Sequence, residues 1–170
     1  MEKDVEKIIV PTLEALKDTD TLVIATTGGS GTKELQKRFP QSNLIIADFI
    51  PFSEIMPYAD LYITNGGYGG VMLGIENKVP MLVAGVHEGK NEINARIGYF
   101  RLGINLGKES PAPSDIKKSV KQVLADPSYK QNVEKLAKEF TTYNPNKLCA
   151  FYVAKLLQKN VVSELYPELA

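Results

Sequence analysis

Residues Tyr62 to Gly85, YITNGGYGGVMLGIENKVPMLVAG, place four glycines within five positions between two strand-like runs. Glycine gives up more backbone freedom on folding than any other residue, so Gly66, Gly67, Gly69 and Gly70 together need a physical reason. The flanks supply the context. YIT and PMLVAG are short, apolar and rich in strand-forming residues, and GVMLGIENK between them reads as a helix. A strand, a glycine turn, a helix and a second strand form a βαβ unit, whose crossover is right-handed.

The same alternation runs outward in both directions. TLVIATTGG (Thr21–Gly29), NLIIADFI (Asn43–Ile50), LYIT (Leu61–Thr64), PMLVAG (Pro80–Gly85) and GINL (Gly103–Leu106) read as strands. Their apolar runs, unbroken by polar residues, suit parallel strands covered on both faces. TKELQKRF, SEIMPYA, GVMLGIENK and NEINARIGYFRL read as the intervening helices. The fold class that follows is α/β: a doubly wound, mostly parallel Rossmann-like sheet with helices on both faces. Beyond Leu106 no strand is expected. Three closing helices are predicted, with Ser114 capping the first, Asp126-Pro127 starting the second and Asn144-Pro145 breaking before the third. The whole chain, 1–170, is expected to be one domain, with a core at about 20–106 and closing helices at 107–170.

Composition narrows the partners. Lys plus Arg and Asp plus Glu both number 20, giving zero net charge, so no basic excess is available for nucleic acid. Cys149 is the only cysteine, which excludes an intrachain disulfide or a cysteine-built zinc site and suits a reducing cytoplasmic location. With His87 the single histidine, no Ser/His/Asp arrangement or metal-ligand cluster is expected, so neither metal nor cofactor is predicted. The longest apolar runs are strand-sized, so no membrane span is expected, and the charged amphipathic start MEKDVEKIIVPTLEALKD is unlike a signal peptide.

Parallel α/β sheets bind ligands beyond the carboxyl ends of their strands. Two glycine loops fall there, TTGGSGT (Thr26–Thr32) and TNGGYGG (Thr64–Gly70), each opening a helix. Main-chain N–H groups at a helix start attract anions, and glycine lets that backbone approach a phosphate. A diphosphate between the two loops is the expectation. Neither loop is a Walker motif or the spaced G-x-G-x-x-G of dinucleotide enzymes.

The stretch from Ala47 to Leu106 resembles the C-terminal, donor-binding half of the UDP-dependent glycosyltransferases that include glucuronosyltransferases and macrolide transferases. The elements that carry the likeness are Phe49-Ile50-Pro51, Thr64-Asn65-Gly66-Gly67, Lys78-Val79-Pro80 and Asn94-Ala95, with TTGGSGT upstream also similar. The form NGGYGGV…VP…AG…E-x-K-x-E-x-x-AR is similar to a bacterial and fungal branch. The resemblance implies half of a GT-B fold that binds a UDP-sugar in an inverting hexosyltransferase, the sugar passing to an acceptor hydroxyl. The sites it implies are Gly28, Gly29, Ser30, Phe49, Pro51, Asn65, Gly66, Gly67, Tyr68, Gly69, Gly70, Glu88, Lys90 and Asn91. Phe49 matches the aromatic that stacks on the base. Asn65 and Gly70 stand where the family usually has a histidine and a hydroxyl residue, Leu73 where it has a ribose-binding glutamate, and Lys90-Asn91 where it has Asp-Gln.

The resemblance also implies that the catalytic base lies in an acceptor-binding N-terminal domain, expected in cis or as a separate chain. Alone, this chain is expected to bind UDP weakly and to turn nothing over. His87 is expected to be an exposed or hydrogen-bonded loop residue, and Glu76 a solvated one. Two other readings remain open: a non-catalytic nucleotide-binding or regulatory module, and a domain like that of the nucleotide-sugar 2-epimerases.

Overall fold

The computed structural model describes residues 4–156. Its elements run α1 (Ile9–Leu16), β1 (Val23–Thr26), α2 (Thr32–Arg38), β2 (Leu44–Ala47), α3 (Phe52–Ile55), a 3-10 turn (Met56–Tyr58), β3 (Tyr62–Thr64), α4 (Tyr68–Glu76), β4 (Met81–Val83), α5 (Lys90–Tyr99), β5 (Gly103–Asn105), α6 (Pro113–Ala125), α7 (Ser128–Phe140) and α8 (Pro145–Leu156). The chain divides into two compact units, Met1–Ala137 and Lys138–Ala170. Among the described residues the first holds every strand and, with them, the βαβ alternation read from the sequence.

All strand pairing is parallel. Val23 to Thr26 of β1 pair with Leu44 to Ala47 of β2, and β4 lies between β3 and β5 with Leu82 opposite both Ile63 and Ile104. The ladder is not continuous: β1–β2 and β3–β4–β5 are separate hydrogen-bonded groups. Apolar packing joins them, because Leu61, Ile63, Ile104 and Ala25 rest on the same core as Val23, Leu44, Ile46 and Leu82.

β4 shows why its sequence has no polar alternation. Leu82 faces a core built from α1, α2 and α6 through Leu13, Leu16, Leu35, Ile116 and Val120. Met81 and Val83 face the other core, built from α4, α5 and α7 through Val71, Ile75, Ile97 and Val133. Successive side chains in a strand point to opposite faces, so a strand covered twice must be apolar throughout. β2 departs from that expectation. Ile45 is 48% exposed, since α2 covers one face of this edge strand while the second helical layer lies over β4.

The helix boundaries correct two details. Ser114 does not cap α6; the helix begins at Pro113, and the Asp115 carboxylate accepts a hydrogen bond from the Ala112 N–H at 3.2 Å. SEIMPYA forms one turn of α-helix and a 3-10 turn rather than a continuous helix. Asp126 does start α7, its Oδ1 accepting from Ser128 N–H at 2.9 Å, and Asn144 caps α8 through Lys147 N–H at 3.0 Å. Residues 157–170, the end of the expected closing segment, lie outside the described residues.

Candidate functional site

Parallel pairing delivers the carboxyl ends of β3 and β4 side by side, with Thr64 opposite Val83. The loops that leave them, 65–67 and 84–89, therefore emerge as neighbours about 4.8 Å apart in the sheet direction. Asn94, fully buried on α5, ties them together. Its Nδ2 donates to the Gly85 carbonyl at 3.0 Å, and its side chain fills the place where a Cβ on Gly66 would stand, 1.7 Å from Oδ1. Gly66 also holds φ +75°, in the left-handed region. Gly70 likewise has protein against it, with Thr64 Oγ1 and Tyr62 OH 3.2 and 3.3 Å from its missing Cβ.

The other two glycines of the cluster differ. Gly67 has φ −63°, an ordinary value, and only Asn65 Oδ1 at 3.4 Å near its Cβ position. Gly69 lies in α4 with no left-handed φ, and nothing stands within 4 Å of its Cβ position. Neither backbone strain nor crowding by the protein accounts for the missing side chains at these two positions. Here, among the described residues, the amides of Tyr68, Gly69 and Gly70 have no protein acceptor, as expected of a first helical turn. The Gly67 amide is taken by the side chain of Asn65, whose Oδ1 accepts at 3.1 Å. The α4 N-terminus thus offers N–H donors and the positive end of the helix dipole in open space.

The first loop is built otherwise. Bare amides were expected around Gly29, but Gly28 N–H donates to the Asp48 carbonyl at 2.9 Å, Gly29 N–H to Thr27 Oγ1 at 3.2 Å and Ser30 N–H to the Thr27 carbonyl at 3.3 Å. The physical reason is left-handed φ at Gly28, Gly29 and Gly31, which curls the loop onto itself. Its hydroxyls continue the closure: Thr27 Oγ1 meets Thr32 Oγ1 at 2.5 Å, and Thr32 Oγ1 donates to the Asp48 carboxylate. Because Thr32 gives its proton to Asp48, Thr27 must donate to Thr32. The result is a one-way chain from the Gly29 amide to the carboxylate, in which each bond polarises the next. Asp48 directly precedes Phe49, so the loop is fastened to the segment bearing that ring. An open cleft of about 460 Å³ lies between this loop and β2, lined in part by Gly31, Thr32, Lys33 and Asp48.

Phe49 is 71% exposed, a flat ring bare to solvent, and Tyr68 is exposed at the start of α4. Pro51 sits at the start of α3. Lys90 and Asn91 open α5, after Glu88 at φ +57°. The Lys90 side chain is only 12% exposed, its Cδ 3.2 Å from the Cβ position of Gly85, and its Nζ bonds Glu88 Oε2 at 2.8 Å. His87 and Glu76 are exposed, as expected. Leu73, half-buried on α4, brings no polar group. Sequence reading gave no role to Thr27, Thr32 or Asp48. The available signal was the carboxylate twenty residues beyond Gly28, at the tip of the next strand.

Glu109, after β5, braces the β4–α5 loop from below. It accepts from Val86 N–H at 2.9 Å and Lys7 Nζ at 3.1 Å, and these bonds, the Val86 amide first, hold its carboxyl below the ordinary carboxylate range. A lowered folded value means the brace is complete above the ordinary carboxylate pKa and is lost as acid titrates through the lowered one. We expect Val86 amide exchange to quicken as pH falls through that window. In Glu109→Gln the exchange, corrected for intrinsic chemistry, should stay flat; an identical acid dependence in both proteins refutes the assignment.

Solved glycosyltransferases share this fold. CalG4, the calicheamicin glycosyltransferase, superposes with a TM-score of 0.77 at 20% identity, covering 88% of this chain and 39% of that one. The glycosyltransferase VinC, solved in complex with DTDP, gives 0.69 at 20% identity, covering 78% and 33%. The chain belongs to the family of the erythromycin biosynthesis protein CIII-like C-terminal domain, whose model matches residues 10–151. UDP-glycosyltransferase 2 of Phaeomoniella chlamydospora is 41% identical over 135 residues, 78% of this chain and 30% of that protein. The 4'-demethylrebeccamycin synthase of Lentzea aerocolonigenes is 34% identical over 137 residues, 81% of this chain and 32% of that one. The chain spans about a third of the length of the curated relatives it matches.

Proposed function

We propose that this chain is the donor half of an inverting glycosyltransferase and holds a UDP-sugar while an acceptor hydroxyl attacks the anomeric carbon. One observation carries the reading: Gly67 and Gly69 lack side chains for no reason internal to the protein, beside three amides that have no protein acceptor. A pyrophosphate resting on Tyr68, Gly69 and Gly70 N–H supplies the reason. Donors fixed in place where charge builds on the departing diphosphate lower the barrier without reorganising during the reaction. The exposed ring of Phe49 serves the base, since stacking requires only a flat apolar face.

In the first loop Gly28, Gly29 and Ser30 contribute as a brace for Phe49 more than as an anion cradle, because the amides of these three residues are already engaged. Asn65 sits beside the diphosphate and Asn91 beside the sugar. No metal takes part in this scheme; the amides and Lys90 meet the phosphate charge. The acceptor and the catalytic base come from an N-terminal domain, in cis or on a second chain, and the enzyme works in the cytoplasm. No described helix is long and apolar enough to cross a membrane.

Calorimetric titration tests the donor site. UDP should bind this chain with a Kd weaker than about 10 μM, a binding free energy no more favourable than roughly −7 kcal/mol, since half of the cleft is missing. UDP-sugar turnover should be absent until an acceptor domain is added. No heat up to millimolar UDP would rule the reading out. Turnover by the chain alone would refute the division of labour. Binding that persists while every added acceptor domain fails to restore transfer favours the regulatory-module alternative.

A further inference from the structure

Lys90 is an unusual lysine. Its stem crosses the face of Gly85, a glycine whose Cβ would lie 2.5 Å from the Asn65 carbonyl oxygen, so the side chain runs along the glycine loop after β3. Lysine is rarely so enclosed without an acceptor. The acceptor present is Glu88, which is 79% exposed and holds a left-handed φ that a non-glycine residue seldom adopts. A contact between a nearly buried cation and a strained, solvent-facing carboxylate two residues away has little net strength, since water competes for the carboxylate throughout. Beside it, Asn65 provides an amide and no charge, and the loop's open donors are neutral N–H groups.

Resting on the function proposed above, we infer that Lys90 is the cation for the donor's β-phosphate, and that it is held in waiting by Glu88. Binding exchanges one acceptor for another: the ammonium leaves the Glu88 carboxylate and donates to a phosphate oxygen. Lysine acts here as a point charge on a flexible stem, which suits a partner that arrives and departs. Glu88 then competes with the ligand, so the two members of one ion pair have opposite effects on affinity. That sign difference separates an exchangeable pair from a structural clamp, in which both losses would harm binding alike.

The test is calorimetric titration of UDP and of uridine into the chain and its K90M and E88Q variants, with thermal melts as a control for folding. Methionine keeps the unbranched stem over Gly85 and removes only the charge. K90M should weaken UDP about tenfold or more, the scale of one charge-assisted hydrogen bond. Uridine, which has no phosphate, should bind K90M and the unaltered chain equally. E88Q should tighten UDP about threefold, and raising salt should weaken UDP less in K90M than in the unaltered chain. UDP binding undiminished in K90M, or weakened in E88Q, overturns this inference and leaves the donor site standing. Absence of UDP binding by the unaltered chain overturns both.

Discussion

Gly69→Ala should stabilise the domain and weaken nucleotide binding. Alanine is the better helix former by up to about 1 kcal/mol, and the position has no left-handed φ and, among the described residues, no side chain or other segment within 4 Å of the new methyl group. A melt should therefore move upward by a few degrees. The same methyl projects where the phosphate must lie against the amides of Tyr68, Gly69 and Gly70, so UDP affinity should fall at least tenfold, about 1.4 kcal/mol or more. A gain in stability with a loss of ligand is the signature of a residue kept small for the ligand. If UDP binds Gly69→Ala as before, the amides at the head of α4 do not hold the phosphates.

Gly66→Ala, three positions earlier, should do the reverse to the fold. Its φ of +75° disfavours any β-carbon, and the methyl would stand 1.7 Å from the Asn94 oxygen. That amide cannot swing away cheaply: it is fully buried and bonded to the Gly85 carbonyl. Strain and overpacking together should cost about 2–4 kcal/mol, seen as an earlier denaturant midpoint at unchanged slope. The double variant Gly66→Ala/Asn94→Ala separates the two causes. Removing the amide relieves the clash and leaves the φ penalty, so its loss should be smaller than the sum of the single losses by about 1 kcal/mol. Strict additivity would show that Asn94 is not what fills the space beneath Gly66.

These two glycines mark how far the sequence could be read. Four in five positions signalled close approach, but not to what. Two of them, Gly66 and Gly70, accommodate the protein's own Asn94, Thr64 and Tyr62; Gly67 has only Asn65 Oδ1 near its Cβ position, and Gly69 faces open space among the described residues. The partners of the first pair come from β3 and from α5, up to 28 positions away, and no local pattern names them. The first loop shows the same limit. TTGGSGT and TNGGYGG look alike in the sequence, yet the first engages the amides of Gly28, Gly29 and Ser30 on Thr27 and Asp48, while in the second the glycine amide taken is that of Gly67, by Asn65.

The order of strands and helices, their parallel pairing and the apolar character of β4 were legible because each rests on local periodicity and on burial of a strand's two faces. The family was legible because Ala47 to Leu106 keeps its marker residues in order along the chain. What tertiary structure alone decided is which main-chain donors stay available. A hydrogen bond is settled by where acceptors such as the Asp48 carbonyl, which takes the Gly28 amide twenty positions away, come to rest, and that depends on the packing of strands distant in sequence.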